Sequence, residues 1–364
     1  MKADQPQGIP VRGHISGLDF IRVLAVVNVT LFHYTGAFDM IWGWREHPLL
    51  MIPYSVGVPG FFVLTGYLVP SLLERRTAGI ALYNRYARLL PALMTCSLVT
   101  YFFIWLYPVR ENTIGLLHWL ANMTMMPNAL GQPAIDGAYW TLQSQMYFFL
   151  FICMVKLTGF LDQLRFVLIA VLLFSLFAMQ VGLLERIFEL PTPFKQGFSI
   201  LISFLQIGYI HFFALGYCFR RLHAGKFGST ECVLFALAIL YEFIFGTRVF
   251  LMFLLLIGVA YLSIFRPLPF YSWQITRFLA RISYCFYLLH MVIGFTILHY
   301  GHYEMELPAN LLIPLTILFI GSLATLIERY IERPSYRLLK MQAPALASSS
   351  GISAKWGGGR SRTS

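Results

Sequence analysis

Apolar residues along this chain come in long blocks, not in the short alternation of a half-buried strand or the narrow stripe of a soluble helix. Ten blocks, roughly 17–37, 51–73, 88–107, 139–159, 165–184, 199–219, 230–247, 249–265, 280–299 and 310–330, are each long enough to cross a bilayer as a helix. Several are bounded by proline, as at Pro108 and Pro308, or by charge, as at Arg220 and Arg221. The pattern predicts an all-α, polytopic membrane protein of about ten transmembrane helices. The stretch 109–138 does not fit as a span, because its apolar part is short. It reads as an outer-face loop with an interfacial or re-entrant piece helped by Trp119.

Composition narrows the class. Hydrophobic residues make up 58% of the 364 positions and charged residues 12%, with a mean hydropathy of +0.68. Little room is left for a soluble domain. A formal charge of +11 would suit a nucleic-acid partner, but in a membrane protein Lys and Arg gather on one face as a topology signal, and no nucleic acid is expected. With the N-terminus inside, 21 of the 27 Lys and Arg fall on the cytoplasmic face. Five fall outside (Arg45, Arg110, Arg186, Lys195 and Arg248), and Arg22 lies within the first span. Both termini are therefore expected in the cytoplasm. The organisation that follows is a cytoplasmic tail over 1–16, a membrane domain over 17–340 and an Ala/Ser/Gly-rich, disordered cytoplasmic tail over 341–364. The basic N-terminus followed by an apolar run imitates a signal peptide. That run holds three ionisable residues and ends in no small-residue cleavage motif, so it reads as a retained helix. The five cysteines form no CxxC pair and read as small buried hydrophobes; neither a disulfide framework nor a metal site is expected. No inverted repeat of the transporter kind is evident.

The candidate chemistry begins in the first block, "GLDFIRVLAVVNVTLFHYTGAF". It accepts Asp19, Arg22 and His33, although an Arg or Asp at a bilayer centre costs roughly 2.5–3.5 kcal/mol even on the lenient insertion scale. Arg22 and His33 are eleven residues apart, close to three helical turns, so they share one face about 16 Å apart along the axis. Asp19 lies one turn before Arg22 and can pair with it. Two readings stand. Asp19 and Arg22 mark the cytoplasmic boundary while His33 bonds a neighbouring helix, or the three form a functional stripe. Arg85 and Arg88 in "YNRYARLLPAL" likewise read as cytoplasmic charge or as a phosphate clamp, since the Arg fork suits phosphate oxygens. Gly57, Gly60 and Gly66 permit close helix packing. "YWTLQSQMYFFLF" opens a helix with an aromatic pair ending at Trp140, and "RISYCFYLLHMVI" places His290 mid-span.

The order of these motifs resembles the acyltransferase 3 family of integral-membrane acyltransferases, which includes bacterial polysaccharide and lipopolysaccharide O-acetyltransferases and nodulation-factor acetyltransferases. The resemblance spans 16–340 and rests on five signatures: GLDFIR with His33 eleven residues after its Arg, GVPGFFVLTGYL, RYARLLP, WTLQSQ, and ISYCFYLLH with a closing IERP. It implies an O-acetyltransferase in the bacterial inner (cytoplasmic) membrane. Acyl-CoA, most simply acetyl-CoA, would be donor substrate on the cytoplasmic face, with no further cofactor. A glycan or lipid-linked glycan hydroxyl would be acceptor on the other face, with membrane lipids around. His33, Arg22 and Asp19 are the expected catalytic set. Arg85, Arg88, Trp140, Gln145 and His290 are the expected substrate-binding set. Many members carry Glu where this chain has Gln145, so no acid/base role is expected there. Others append a periplasmic SGNH-type domain; here transfer is expected to be completed within the membrane domain or by a partner. The rival class is a transporter or flippase, in which the polar stripe is a pathway without covalent chemistry.

The charge asymmetry makes a direct prediction. Reporter fusions after residues 45 and 110 should report the outer face, and fusions after residue 80 and at the C-terminus the cytoplasm. An outer C-terminus would overturn the ten-span arrangement.

Overall fold

A computed structural model describes residues 15–107, 115–180, 192–246 and 248–340, which are mostly helical, with no strand among them. The chain is an all-α, polytopic membrane protein. The two tails up to residue 14 and from 341, and the outer-face positions Arg110 and Arg186, lie outside the described residues.

The helices, in chain order, are α1 (Ser16–Ile41), α2 (Gly57–Arg75), α3 (Ala78–Leu106), α4 (Leu116–Met123) and α5 (Trp140–Leu157). They continue as α6 (Leu164–Gln180), α7 (Thr192–Leu205), α8 (Ile210–His223), α9 (Ser229–Phe245) and α10 (Phe250–Phe265). The last two are α11 (Gln274–Tyr303) and α12 (Ala309–Lys340). Among the described residues, seven helical segments are long and apolar enough to cross a bilayer, with Gly197–His223, which runs from α7 into α8, counted as one, and α10 is a shorter apolar helix. The described parts of the ten apolar blocks fall mostly on helix, with 51–56 leading into α2 as irregular chain, 181–184 and 247 outside the described residues, and one break. The block 199–219 is two helices, α7 and α8, because Gln206 and Gly208 adopt φ of 57° and 97° and turn the chain between them. A positive φ at a non-glycine residue is uncommon, and an apolar count does not see it.

Of the stretch expected to be a loop, the described residues 115–138 hold no span. Its helix α4 has eight residues, about 12 Å of rise and far short of a span. Trp119 pins it by donating from Nε1 to Ser97 Oγ on α3 at 3.0 Å. The loop is folded back on itself by Asn122, whose side chain donates to the Pro133 carbonyl and accepts from the Ile135 amide, each at 3.0 Å.

Packing explains which helices sit inside. α11 touches α1, α3 and α12, while α2 touches α1, α5 and α8. Glycines make the closest contacts, as expected where lipid supplies no hydrophobic drive and backbones gain by close approach. A Cβ at Gly66 would strike the Phe213 carbonyl on α8, and one at Gly57 the Ala25 carbonyl on α1. Gly60 is different, since a Cβ there would meet only side-chain atoms at 3.4 Å or more. Four cysteines are buried, as expected of small hydrophobes; Cys232 is instead exposed on α9. The C-terminal end of α2 is capped by Lys156 of α5, whose ammonium donates to the carbonyls of Leu73 and Arg76.

Candidate active site

Two groups of residues lie along the inner helices, and α1 carries a member of each. The first surrounds a cavity of about 560 Å3 between α1, α2, α3, α5 and α11. Arg22, Arg75, Arg76, Arg85 and Arg88 line it, and no Asp or Glu does among the described residues. Arg22 meets Asp19 at 3.4 Å, as the i,i+3 spacing predicts. Arg85 lies over the Phe149 ring, 4.9 Å from its centroid, and its buried Nε has no hydrogen-bond partner among the described residues. Glu332 stands near this cluster, within electrostatic reach of Arg22 and Arg88, and accepts from the Cys285 thiol at 3.0 Å. It belongs to the IERP motif and sits in a π-helical turn, Glu328–Glu332. Five cations around a concave space with uncharged walls give it the chemistry to suit an anion.

Uncharged polar groups take over at the inner end. Gln145 lines the cavity, and the Thr65 hydroxyl reaches both Gln145 Oε1 at 3.0 Å and the Phe61 carbonyl at 2.8 Å. Thr141 and Tyr287 also line it, their hydroxyls 2.6 Å apart. Both lie 3.1 Å from the Ala138 carbonyl. Their two protons are used within this trio.

Beyond Tyr287 lies the second group. His33 opens a π-helical turn in α1, His33–Ala37, a feature often found at functional positions. Its Nδ1 is 2.9 Å from Nε2 of the fully buried His290 on α11. His290 Nδ1 in turn lies 2.6 Å from the Tyr287 carbonyl. The next residue after His33 locks the crossing: Tyr34 donates its hydroxyl to the His290 carbonyl at 2.7 Å. Gly294, one turn on, leaves the space that the Tyr34 ring fills. The loop between α4 and α5 grips the same turn of α11. The Tyr139 hydroxyl donates to the Leu288 carbonyl at 3.2 Å, and Asp136 Oδ2 accepts from the Val292 amide at 3.0 Å. Asp136 Oδ1 accepts from Ala138 at 2.7 Å. Burial pushes this loop carboxyl up to about 6 against the pull of its two backbone hydrogen bonds.

Comparison with known proteins now decides the class. A family model described as "Acyltransferase domain", the acyltransferase 3 family, matches residues 15–327. The chain belongs to this family. Searches of curated proteins and of solved structures find no match. A membrane acyltransferase therefore carries both groups, the arginine cavity and the histidine pair.

Of the residues expected at the acyltransferase site, Arg22, Arg85, Arg88 and Gln145 line the cavity together. Asp19 touches it through Arg22. His33 and His290 bond to each other and are not among its lining residues. Trp140 stands apart, packed against Phe62 and Tyr209. Arg75 and Arg76, which the sequence offers only as two of the 21 cations on the cytoplasmic face, also line the cavity. Sequence reasoning missed Tyr287 and Thr141, although both lie inside quoted motifs. Asp136 was passed over as a loop acid; its one visible signal is a carboxylate placed just before the aromatic pair that opens α5.

Asp136 yields a prediction with a sign. A buried carboxyl raised to about 6 favours its protonated form in the folded state more than in the unfolded one. Its contribution is fully present below about pH 4 and lost as pH rises through about 6. Wild type should therefore lose thermal stability in detergent relative to Asp136→Asn between about pH 4 and 6, with a constant difference above. Asp136→Leu, which strands the amides of Ala138 and Val292, should cost about 1–3 kcal/mol for each buried amide left unpaired. Melting curves across pH for the three proteins test both statements.

Proposed function

We propose that this acyltransferase is an O-acyltransferase that moves a small acyl group, most simply acetyl, from acyl-CoA to a hydroxyl of an exported or cell-surface glycan, in a bacterial inner membrane. The observation that carries the reading is the cavity. Five arginines and, among the described residues, no acid face a space of about 560 Å3. The phosphates of a coenzyme A nucleotide match such a cluster, because guanidinium forks bind phosphate oxygens in pairs. Its uncharged arm suits the walls formed by Phe61, Leu64 and Phe149. The charge bias of the sequence puts the arginine end on the cytoplasmic side, where acyl-CoA is available.

In this reading His33 is the general base. It accepts the proton of the acceptor hydroxyl as the oxygen attacks the thioester carbonyl; the C–O bond forms and the C–S bond breaks. The same proton then goes to the departing thiolate, so the ester and the free thiol are the products. Asp19 holds Arg22 in the arginine cluster. His33→Ala should abolish transfer in protein that still inserts in the membrane, and His33→Gln should not rescue, since an amide cannot take the proton at neutral pH. Mass spectrometry of surface glycans from cells carrying each variant measures the outcome. Retained acyl ester with His33→Gln would remove the base from this position.

The donor site has its own test. The double variant Arg85→Ala, Arg88→Ala should weaken acetyl-CoA binding to the purified protein by tenfold or more, and the paired Lys variants should recover only part of it. Unchanged binding in the double Ala variant would make these arginines topology markers and return the transporter reading to consideration.

A further inference from the structure

We infer that His290 is a positioning residue for the transfer: it fixes the tautomer of His33 so that Nε2 is the nitrogen that receives the acceptor's proton. The inference rests on the reading of His33 as the base.

The argument is one of donors and acceptors. The Tyr287 carbonyl can only accept, so His290 Nδ1, 2.6 Å from it, carries a hydrogen. His290 is fully buried, and neither ring is hydrogen-bonded to an acid among the described residues. An unpaired imidazolium in such a place is costly, so His290 is the neutral ring with its lone pair on Nε2. That lone pair faces His33 Nδ1 at 2.9 Å. His33 Nδ1 must then be the donor, which leaves the lone pair of His33 on Nε2. No described residue hydrogen-bonds that nitrogen, and His33, unlike His290, is not fully buried.

A chain of three groups, carbonyl to imidazole to imidazole, thus sets the proton positions without any acid. It has the logic of a base oriented by a third group, with a backbone carbonyl at its far end. When His33 Nε2 takes the hydroxyl proton, Nδ1–H still points at His290, so the new imidazolium keeps a hydrogen-bond partner until the proton leaves for the thiolate. The surroundings hold His290 as an orienting group must be held. Tyr34 bonds its carbonyl, while Tyr139 and Asp136 bond the peptide groups two residues to either side.

The test compares His290→Gln, whose amide oxygen can accept from His33 Nδ1–H, with His290→Leu, which fills space and accepts nothing. Turnover is read as acetyl-CoA-dependent release of coenzyme A thiol in membranes of the producing cell, with His33→Ala as reference. His290→Leu should lower kcat by about 10²-fold or more, with KM for acetyl-CoA within about threefold, since loss of an orienting group acts on the transition state. His290→Gln should recover at least tenfold in kcat. Equal rates for Leu and Gln, or full activity in Leu, would overturn the inference while an inactive His33→Ala left the base in place. Activity in His33→Ala would instead overturn the reading on which it rests. Nitrogen NMR of wild-type protein labelled with 15N-histidine, assigned by difference from His33→Gln, needs no folded His290 variant. A protonated Nδ1 and an unprotonated Nε2 on His33 are expected, and the reverse tautomer would overturn the inference.

Discussion

An imidazole placed between helices in a bilayer has no water to satisfy it, and this constraint organises the centre of the molecule. α1 and α11 meet where His33 and His290 bond to one another. Each nitrogen facing the interior needs a partner on the other helix or in its own backbone, so the register between the helices is set to within one residue. Tyr34 and Gly294 then follow. The hydroxyl that locks the crossing requires the ring to lie flat against α11, and only a residue without Cβ leaves that space. The loop before α5 follows as well, since Asp136 and Tyr139 satisfy backbone groups on the same turn of α11. A polar contact of this kind is worth only about 1–2 kcal/mol in a membrane. Its weight lies in specificity, because leaving any one of these groups unpaired costs more than the pairing gains.

The same helix α1 separates two kinds of electrostatics. At Arg22 it contributes to a cluster of cations that suits a multiply charged ligand, and three turns on it presents an imidazole among aromatic rings, Phe32 and Phe295 among them. Tyr287 joins the two regions. Its hydroxyl faces the cavity with Thr141, and its carbonyl anchors His290. Tyr287 thus stands between the trio at the cavity's inner end and the histidine pair one helical turn away.

Which of these features the sequence discloses depends on how far apart the partners lie along the chain. Apolar length and helical spacing are local, so the spans, the Asp19–Arg22 pair and the short α4 can be read by inspection. Arg85 and Arg88 are local too, three residues apart. The His33–His290 bond joins positions 257 residues apart, and nothing in either segment names the other. Arg75 and Arg76 are hidden for a different reason: cations at a cytoplasmic boundary look alike whether they face solvent or a cavity. The break between α7 and α8 depends on the backbone conformation of Gln206, which an apolar pattern does not encode. Asp136 is the instructive miss, because a loop acid is ordinarily solvated, and only the folding of the loop onto α11 buries it.

Gln145 completes the electrostatic argument. Many members of the family carry a carboxylate at the corresponding place, and here that place lines a cavity surrounded by five arginines. A carboxylate there would set a negative charge at the inner end of the anion site and would attract one of the guanidinium groups. The amide keeps the hydrogen-bonding partner that Thr65 uses and adds no charge. The Thr65 hydroxyl has one proton and two acceptors, so it can turn between the Phe61 carbonyl and the amide at little cost. Substitution of Gln for Glu therefore leaves the positive field of the cavity whole. In the proposed mechanism, proton transfer then rests on His33 and not on this position.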